Sequence, residues 1–305
     1  MTEYHETINR VLAPNKKCII NADLDGILSG MLLHKFLGWE VVGFSSCSGK
    51  PTDEIWVMDR TVDIGKCVYI DLPVALKSID IIDQHFISFD EGGVDRYKNC
   101  NNKLNPNVMR KRHYSKGDYC KKYPFGTVHF ILALLESIGV ITEDVLPDIQ
   151  VSGISALDIL LRADGVIANT STYTNNCIDW CDWLIQVGGT TTNKIFSTVK
   201  NDYTSMLDTV PLVEQKLNLL GCHRKDGDCS NMLMRKDLDK LNQYLKYLSE
   251  MFNTTPLRVD NLYATKILTG SRHQVDTSIN ALLTQRKVFS YAFVNKDTLS
   301  ITHRV

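Results

Sequence analysis

Three short, mostly apolar runs in the first third of the chain are each followed closely by aspartate. The runs and their acids are Cys18–Ile20 with Asp23 and Asp25, Cys67–Ile70 with Asp71, and Ile79–Ile82 with Asp83. After the first run, apolar residues from Ile27 to Leu37 recur at helical spacing, and Gly38 then marks a helix end. Strands that alternate with helices in this way predict βα units and a mostly parallel sheet.

These aspartates predict a metal site. The carboxyl ends of parallel strands meet at one edge of a sheet, so the acids are expected to gather there. Asp23 and Asp25 lie two residues apart and repel each other, and a divalent cation offsets that repulsion. Helix capping by Asp23 and Asp25, with the other acids in turns, is the structural alternative and stays open.

The acids belong to a longer set of segments that resembles the DHH phosphoesterase superfamily, which includes RecJ-like exonucleases and oligoribonucleases. The matching segments are Asp23–Gly26 with Ser29, Asp71, Asp83–His85, Asn105-Pro106, Phe125–Thr127 and Ser155–Asp158. Their order and spacing hold from about residue 16 to residue 165. More weakly, the chain from Arg258 is similar to the family's small substrate-binding domain, with Asn280–Leu283 on a helix and Ser300–Arg304 on a phosphate-contacting strand.

Three departures from the family pattern bear on catalysis. Asn21 stands near the place of a family His, and Gln84 replaces the first His of the signature. The glycine-rich His motif that follows the family's last strand has no counterpart in this sequence. Asn and Gln offer a carbonyl oxygen to a hard cation, but they are neutral and weaker ligands than imidazole. A catalytically degenerate DHH scaffold that binds a nucleotide or a protein partner is therefore the alternative to an enzyme.

The resemblance implies a fold and a division into three parts. The expected class is α/β: a mostly parallel sheet flanked by helices in a DHH-like metal-binding domain, a helical connector, and a smaller C-terminal α/β domain for substrate binding. The corresponding ranges are 1–185, 186–252 and 253–305. Further expected elements are strands at 41–44 and 55–58, an amphipathic helix at 238–252, strands at 258–268, 288–294 and 299–304, and a helix at 277–286.

The resemblance also implies a reaction, the hydrolysis of a phosphodiester in a short oligonucleotide or a small nucleotide. Manganese is the expected cofactor, with magnesium as the alternative; two ions are expected, and a single ion is the alternative. The expected metal ligands are Asp23, Asp25, Asp71 and Asp158, with Asn21 and Gln84 as further candidates. Asp71 would bridge the ions and His85 would contact the scissile phosphate, which makes these two the expected catalytic residues.

Two basic features are candidates for phosphate binding. The segment Lys103–Lys122 carries lysines and arginines with tyrosines interleaved, which suits contacts to phosphate oxygens and stacking on bases. The second feature is the basic pair near the C-terminal end. A solvated loop and an exposed chain end are the respective alternatives. The expected substrate-binding residues are His85, Arg110, Arg112, His113, His303 and Arg304.

Composition limits the class of protein. A net charge of −1 argues against a protein that coats long nucleic acid through bulk charge. No apolar run approaches the length of a membrane span, and the first residues do not resemble a signal peptide. Nine scattered cysteines indicate reduced thiols, so a cytoplasmic location is expected. The expected partner is the nucleotide substrate rather than a membrane, and a homodimer stays open.

Two groups of cysteines have structural or metal interpretations. Cys222, His223 and Cys229 share a polar loop but lack a fourth ligand at a usual spacing, which disfavours zinc. Cys177 and Cys181 lie four residues apart beside tryptophans, and we expect them on the packed face of a helix.

Overall fold

A computed structural model of the chain describes residues 2–46, 53–87, 102–112, 116–223, 225–274 and 288–304. The helices are α1 His5–Val11, α2 Leu24–Leu37, α3 Pro106–Met109, α4 Thr127–Ser137, α5 Ala156–Arg162, α6 Val166–Thr172, α7 Thr174–Val187, α8 Thr190–Asp202, α9 Val210–Leu219, α10 Ser230–Arg235 and α11 Leu238–Met251. Short 3₁₀ turns are Thr2–Tyr4, Lys116–Lys121, Ala163–Gly165 and Ser205–Asp208. The strands are β1 Lys17–Asn21, β2 Glu40–Ser45, β3 Asp53–Val57, β4 Val68–Ile70, β5 Ile81–Ile82, β6 Lys103–Leu104, β7 Gln150–Val151, β8 Ile154–Ser155, β9 Tyr263–Gln274, β10 Val288–Asn295 and β11 Thr298–Arg304.

Contacts between residues divide the chain into two compact units. The first unit consists of residues 1–21, 40–122 and 262–305, and the second consists of residues 22–39 and 123–261. The large sheet belongs to the first unit, and most of the helices belong to the second. The three-part division at residues 185 and 252 stays a prediction.

The sheet of the first unit has the strand order β10-β11-β9-β3-β2-β1-β4-β5-β6. From β2 to β6 all neighbouring strands are parallel. The α/β class and the parallel arrangement predicted from the alternating pattern are therefore confirmed. β3 is antiparallel to β2, because the residues between them, 46–52, are too few for the crossover that a parallel neighbour requires.

The C-terminal strands continue this sheet, since β9 pairs with β3. β9 begins at Tyr263, five residues later than expected, while β10 and β11 match the expected ranges closely. The helix expected at 277–286 lies outside the described residues. The outer edge of β10 also bonds to the segment after β4: the N–H of Ala75 donates to the carbonyl of Phe289 at 2.7 Å, and that of Tyr291 donates to the carbonyl of Pro73 at 3.1 Å.

A layer of apolar side chains fills one face of this sheet. Ile19, Tyr69, Ile81 and Phe289 are almost completely buried and belong to one cluster. The rings of Tyr69 and Phe289 meet edge to face with centroids 5.8 Å apart. Each side chain of this size stabilises the fold by about 1.5–3 kcal/mol through burial. The core therefore holds the ends of β1, β4 and β5 in a fixed relation, and these ends carry the acids of the first unit.

The second unit is mainly helical. In α7, Cys177 and Cys181 are both buried, which confirms the packed face expected from their spacing. In α11, Leu241, Leu245 and Leu248 form the buried stripe that the amphipathic pattern predicts. Within the part of the chain that the structure describes, no helix combines the length and the apolar character needed to cross a membrane.

Candidate functional site

Asp71 has an unusual backbone at the end of β4. Its φ is 58°, in the left-handed region that residues other than glycine rarely adopt, and the residue is 1% exposed. Its N–H donates to the carbonyl of Ile82 at 2.8 Å, which continues the pairing of β4 with β5. This conformation costs of order 1–3 kcal/mol, although aspartate adopts it more readily than most residues. Lys111, Ser152 and Lys236 share it elsewhere in the chain, so the backbone supports a functional role only together with the contacts of the carboxylate.

Two side chains of the same unit contact the Asp71 carboxylate. The amide nitrogen of Asn21, at the end of β1, donates to Oδ2 at 3.1 Å. The imidazole Nδ1 of His85 lies 3.5 Å from Oδ1. The structure thus brings together three of the residues expected from the acid motifs, and Asp71 and His85 each offer an atom suited to a metal ion.

Asp83 fixes the orientation of His85. Its Oδ1 lies 2.8 Å from Nδ1 of His85, and its Oδ2 accepts the N–H of Phe86 at 3.0 Å. Asp83 is fully buried, whereas the His85 side chain is 29% exposed. A carboxylate at Nδ1 favours the proton on that nitrogen, which leaves the lone pair on Nε2. His85 can therefore present Nε2 as a metal ligand or as an acceptor.

The side-chain amides of Gln84 and Asn21 act as hydrogen-bond donors in this structure. Nε2 of Gln84 lies 3.1 Å from Nε2 of His85, and the amide nitrogen of Asn21 contacts Asp71. A cation would need the amide oxygens instead, so these contacts give Asn21 and Gln84 a supporting role around the acceptor atoms. Their role as ligands stays a prediction.

Asn107 is a supporting residue that the sequence reasoning missed. Its amide nitrogen donates to the carbonyls of Gln84 and Phe86 at 3.0 and 3.1 Å, and so holds the turn that carries His85. Asn105 caps α3, because its Oδ1 accepts the N–H groups of Asn107 and Val108. The Asn-Pro motif therefore supports the His85 turn from α3.

The acids of the second unit contact helix N-termini. Oδ1 of Asp23 accepts the N–H of Gly26 at 2.9 Å, so Asp23 is the N-cap of α2. Asp25 is 1% exposed, and its two oxygens accept the N–H groups of Thr127 and Val128 at 2.6 and 2.8 Å. Asp25 therefore caps α4, a helix that begins about 100 residues later in the chain. Helix capping, the structural alternative to metal binding, therefore accounts for the observed contacts of Asp23 and Asp25.

Gly126 makes the contact between Asp25 and α4 possible. A Cβ at this position would lie 2.6 Å from Oδ1 and 2.8 Å from Cγ of Asp25. Any side chain at position 126 would push the carboxylate away from the two N–H groups. Each carboxylate oxygen has two lone-pair directions, so a helix cap does not exclude a metal ion at the same carboxylate.

Asp158 and Asp164 are the other notable acids of the second unit. Asp158 is half-buried and forms a capping box at the start of α5, with its Oδ2 accepting the N–H and hydroxyl of Ser155 at 2.8 and 2.6 Å. Asp164 was not expected from the sequence. It has a left-handed backbone with φ 51°, and its carboxylate offers an oxygen suited to a metal ion. The turn dipeptide Asp164-Gly165 was the available signal.

Buried titratable groups lie beside these acids. Burial raises the pKa of Tyr123 well above its usual value, and the negative charges of Asp25 and Asp164 add to the rise. Burial lowers the pKa of His129 to about 4, although the charge of Asp164 opposes this effect. The ring of His129 accepts the N–H of Gly126 at Nδ1 and contacts a carbonyl at Nε2, so it is neutral at physiological pH.

The basic segment 103–122 differs in part from its expected role. Lys103 is 4% exposed, and its ammonium group donates to the carbonyls of Leu76 and Ile79 at 2.6 and 2.5 Å. The expectation that Lys103 belongs to a phosphate-binding loop is therefore wrong, because buried carbonyls hold this charge inside the fold. Arg110 and Arg112 are half-buried beyond α3, and His113 lies outside the described residues.

Tyr119 is the tyrosine of the basic segment that lies within the described residues, and it packs within the first unit. Its hydroxyl donates to the carbonyl of Phe293 at 3.2 Å, and Nζ of Lys122 lies 4.8 Å from the ring centroid. At the C-terminal end, β11 places His303 opposite Thr269, and His303 is half-buried. Arg304 is the last residue of β11, opposite Leu268. Binding of substrate by these residues stays a prediction.

Comparisons with models of protein families, with curated proteins and with solved structures found no match to this chain.

Proposed function

We propose that this chain is a DHH-type phosphodiesterase of the cytoplasm that uses manganese to hydrolyse short oligonucleotides or small nucleotides. The observation that carries the proposal is Asp71, a buried carboxylate in a left-handed backbone that contacts Asn21 and His85. Backbone strain and charge burial both cost free energy, and a bound cation offsets the second cost. Carboxylate oxygens are the ligands that suit manganese, so the Asp71 carboxylate fits the expected metal, with the His85 imidazole as the softer donor beside it.

Each residue of the first unit has a definite task in this proposal. Asp71 would hold the cation, and the Asn21 amide fixes one oxygen of the Asp71 carboxylate. Asp83 keeps the proton of His85 on Nδ1 and orients the ring toward the phosphate. A bound metal ion would supply Lewis-acid chemistry: it would lower the pKa of a bound water and offset charge on the phosphate. His85 would stabilise this charge as an imidazolium, with Nε2–H donating to the phosphate oxygens while Nδ1–H keeps its bond to Asp83.

The acids of the second unit are further proposed ligands on the strength of the resemblance. These are Asp23, Asp25 and Asp158, and Asp164 joins them because its carboxylate also offers a ligand atom. The low net charge of the chain suits a short substrate, with Arg110, Arg112 and His303 as proposed phosphate contacts.

A nucleotide-binding or protein-binding scaffold without catalysis is the second candidate. The observation that favours it is that Asp23, Asp25 and Asp158 each accept hydrogen bonds at the start of a helix, Asp158 as the partner of the N-cap Ser155. Selection for stability alone would keep such acids. It does not by itself explain why Asp71, Asn21 and His85 lie together around a buried carboxylate.

A substrate panel with a matched control separates the two candidates. The panel contains short RNA, short DNA, cyclic dinucleotides and small phosphoanhydrides, each with and without manganese. The wild-type protein is expected to release mononucleotides only with manganese, and Asp71→Asn is expected to abolish the release. Asp63→Asn is the control, because Asp63 is an exposed aspartate of the same unit. A wild-type protein that turns over no substrate faster than Asp71→Asn would favour the scaffold.

A further inference from the structure

A loop of the second unit bonds to the chain on both sides of the N-cap aspartate of α2. The N–H of Leu24 donates to the carbonyl of Asp226 at 3.0 Å, and the N–H of Cys229 donates to the carbonyl of Ala22 at 2.8 Å. Leu24 is the first residue of α2, where an N–H group has no partner within its own helix. Residues 226–229, here named the clamp loop, therefore fix the backbone immediately before and after Asp23.

The clamp loop has a fixed shape of its own. The N–H of His223 donates to the carbonyl of Asp228, and the N–H of Gly227 donates to the carbonyl of His223, both at 2.9 Å. Oδ1 of Asp226 also accepts the N–H of Asp228 at 3.1 Å. A loop closed by reciprocal backbone bonds resists displacement, so it can hold a neighbouring segment in place.

Gly227 allows the clamp loop to approach α2 closely. Its φ is 66°, and a Cβ at this position would lie 2.8 Å from Cβ of Leu24 and 2.8 Å from the hydroxyl oxygen of Tyr244. Contacts this short do not occur between real Cβ atoms and their neighbours. Either the loop or the start of α2 would have to move to accommodate a side chain.

We propose that Gly227 is a positioning residue for Asp23. Because it has no side chain, the clamp loop reaches Leu24 and sets the direction of the Asp23 carboxylate, which is itself tied to the backbone through Gly26. This inference rests on the proposed function, in which Asp23 is a manganese ligand. Its test therefore needs one measurement that does not depend on the metal.

The test is Gly227→Ala, followed by manganese titration calorimetry and by hydrogen exchange of the Leu24 amide. The substitution is expected to raise the manganese Kd roughly 10–100-fold, the range for loss of a residue that orients a metal ligand. It is also expected to speed exchange at Leu24 in the absence of metal, because the bond to Asp226 is lengthened or lost.

Gly139→Ala is the matched control. Gly139 also has a left-handed backbone, with φ 75°, but nothing lies within 4 Å of the position where its Cβ would be. The control carries the backbone strain without the clash, so it is expected to keep the wild-type manganese Kd and the wild-type exchange rate at Leu24. Equal weakening of manganese binding in both variants would overturn the inference, because strain alone would then explain it.

Tyr244→Phe separates the two contacts of Gly227. Phe removes the hydroxyl and leaves Leu24 unchanged, so the double variant Gly227→Ala with Tyr244→Phe is expected to keep the weakened manganese binding. Recovery of the wild-type Kd in the double variant would show that the clash with Tyr244 carries the effect, and would overturn the clamp on Leu24.

The wild-type protein provides a second test if Gly227→Ala does not fold. By linkage, a clamp that improves manganese binding must itself be stabilised by manganese. Exchange at Leu24 and Cys229 is therefore expected to slow on addition of manganese, while exchange at Gly38, at the other end of α2, does not change. Equal rates at Leu24 with and without bound manganese would overturn the inference. A wild-type protein that binds no manganese would overturn the proposed function and the inference with it.

Discussion

The two compact units hold their carboxylates in different ways. In the first unit, Asp71 and Asp83 contact the side chains of Asn21 and His85. In the second unit, three expected ligands accept bonds at the N-termini of helices: Asp23 on α2, Asp25 on α4 and Asp158 on α5. Both sets follow the acid motifs of the sequence, and helix capping accounts for the contacts of the second set without a metal.

This difference shows how much each acid indicates about function. A carboxylate at a helix N-terminus is favoured by the free N–H groups and by the helix dipole, with or without a metal. The described contacts of the Asp71 carboxylate are with the side chains of Asn21 and His85, and its backbone has a left-handed φ of 58°. The case for a metal site therefore depends mainly on Asp71 and His85, and the capping acids need a separate test.

The largest expected effect comes from removing a buried cap. Asp25→Ala is expected to lower the free energy of unfolding by about 4 kcal/mol, because two N–H groups of α4 lose charged acceptors. Glu136→Ala is expected to cost a similar amount, since its carboxylate accepts the N–H groups of Gly189, Thr191 and Thr192 at 2.7–3.2 Å. Urea unfolding measures both losses.

The stabilisation that manganese gives to each variant distinguishes Asp25 from Glu136. Both variants lose a cap within the second unit, but only Asp25 is also a proposed metal ligand. Manganese is expected to stabilise Glu136→Ala as much as the wild-type protein, and Asp25→Ala much less. If manganese stabilises the two variants equally, Asp25 is a structural cap and no ligand.

His129 provides a pH test of the helix α4 region. Its folded pKa is about 4, whereas the unfolded value is near 6.5. Between these values the unfolded chain binds a proton that the folded chain does not, so stability falls as the pH is lowered from about 6.5 to about 4. The loss is expected to reach roughly 3 kcal/mol. Urea unfolding across this range should show a shallower pH dependence in His129→Gln, and an identical slope would contradict the assignment.

His85 provides the test of catalysis in the first unit. His85→Asn is expected to lower kcat roughly 100-fold, about 2.7 kcal/mol, because the imidazole that contacts the scissile phosphate in the proposed function is lost. His5→Asn, at an exposed position on α1, is the control and should keep the wild-type kcat. A wild-type kcat in His85→Asn would show that the ring has no role in the reaction.

Some features of the fold could be predicted because the residues that indicate them are neighbours in the sequence. The apolar run of β1, the helical spacing of α2 and Gly38 at its end all lie within a short window, and the structure confirms each of them. The antiparallel direction of β3 was also readable from the short connection after β2.

Other features depend on partners that are distant in sequence. Nothing near Asp25 indicates that it caps a helix starting at Thr127, and nothing near Lys103 indicates that its charge is held by Leu76 and Ile79. The clamp loop is likewise about 200 residues from the aspartate that it flanks. A single sequence shows residue types, whereas these contacts arise only when the chain is folded.

Manganese binding by Asp71→Asn tests the central claim most directly. At a manganese concentration about 100-fold above Kd, the wild-type melting temperature is expected to rise by about 4 °C. Asp63→Asn is expected to show the same rise, and Asp71→Asn is expected to lose most of it, because the variant lacks the charge that holds the cation. An undiminished rise in Asp71→Asn would contradict the account and would place the metal site elsewhere in the chain.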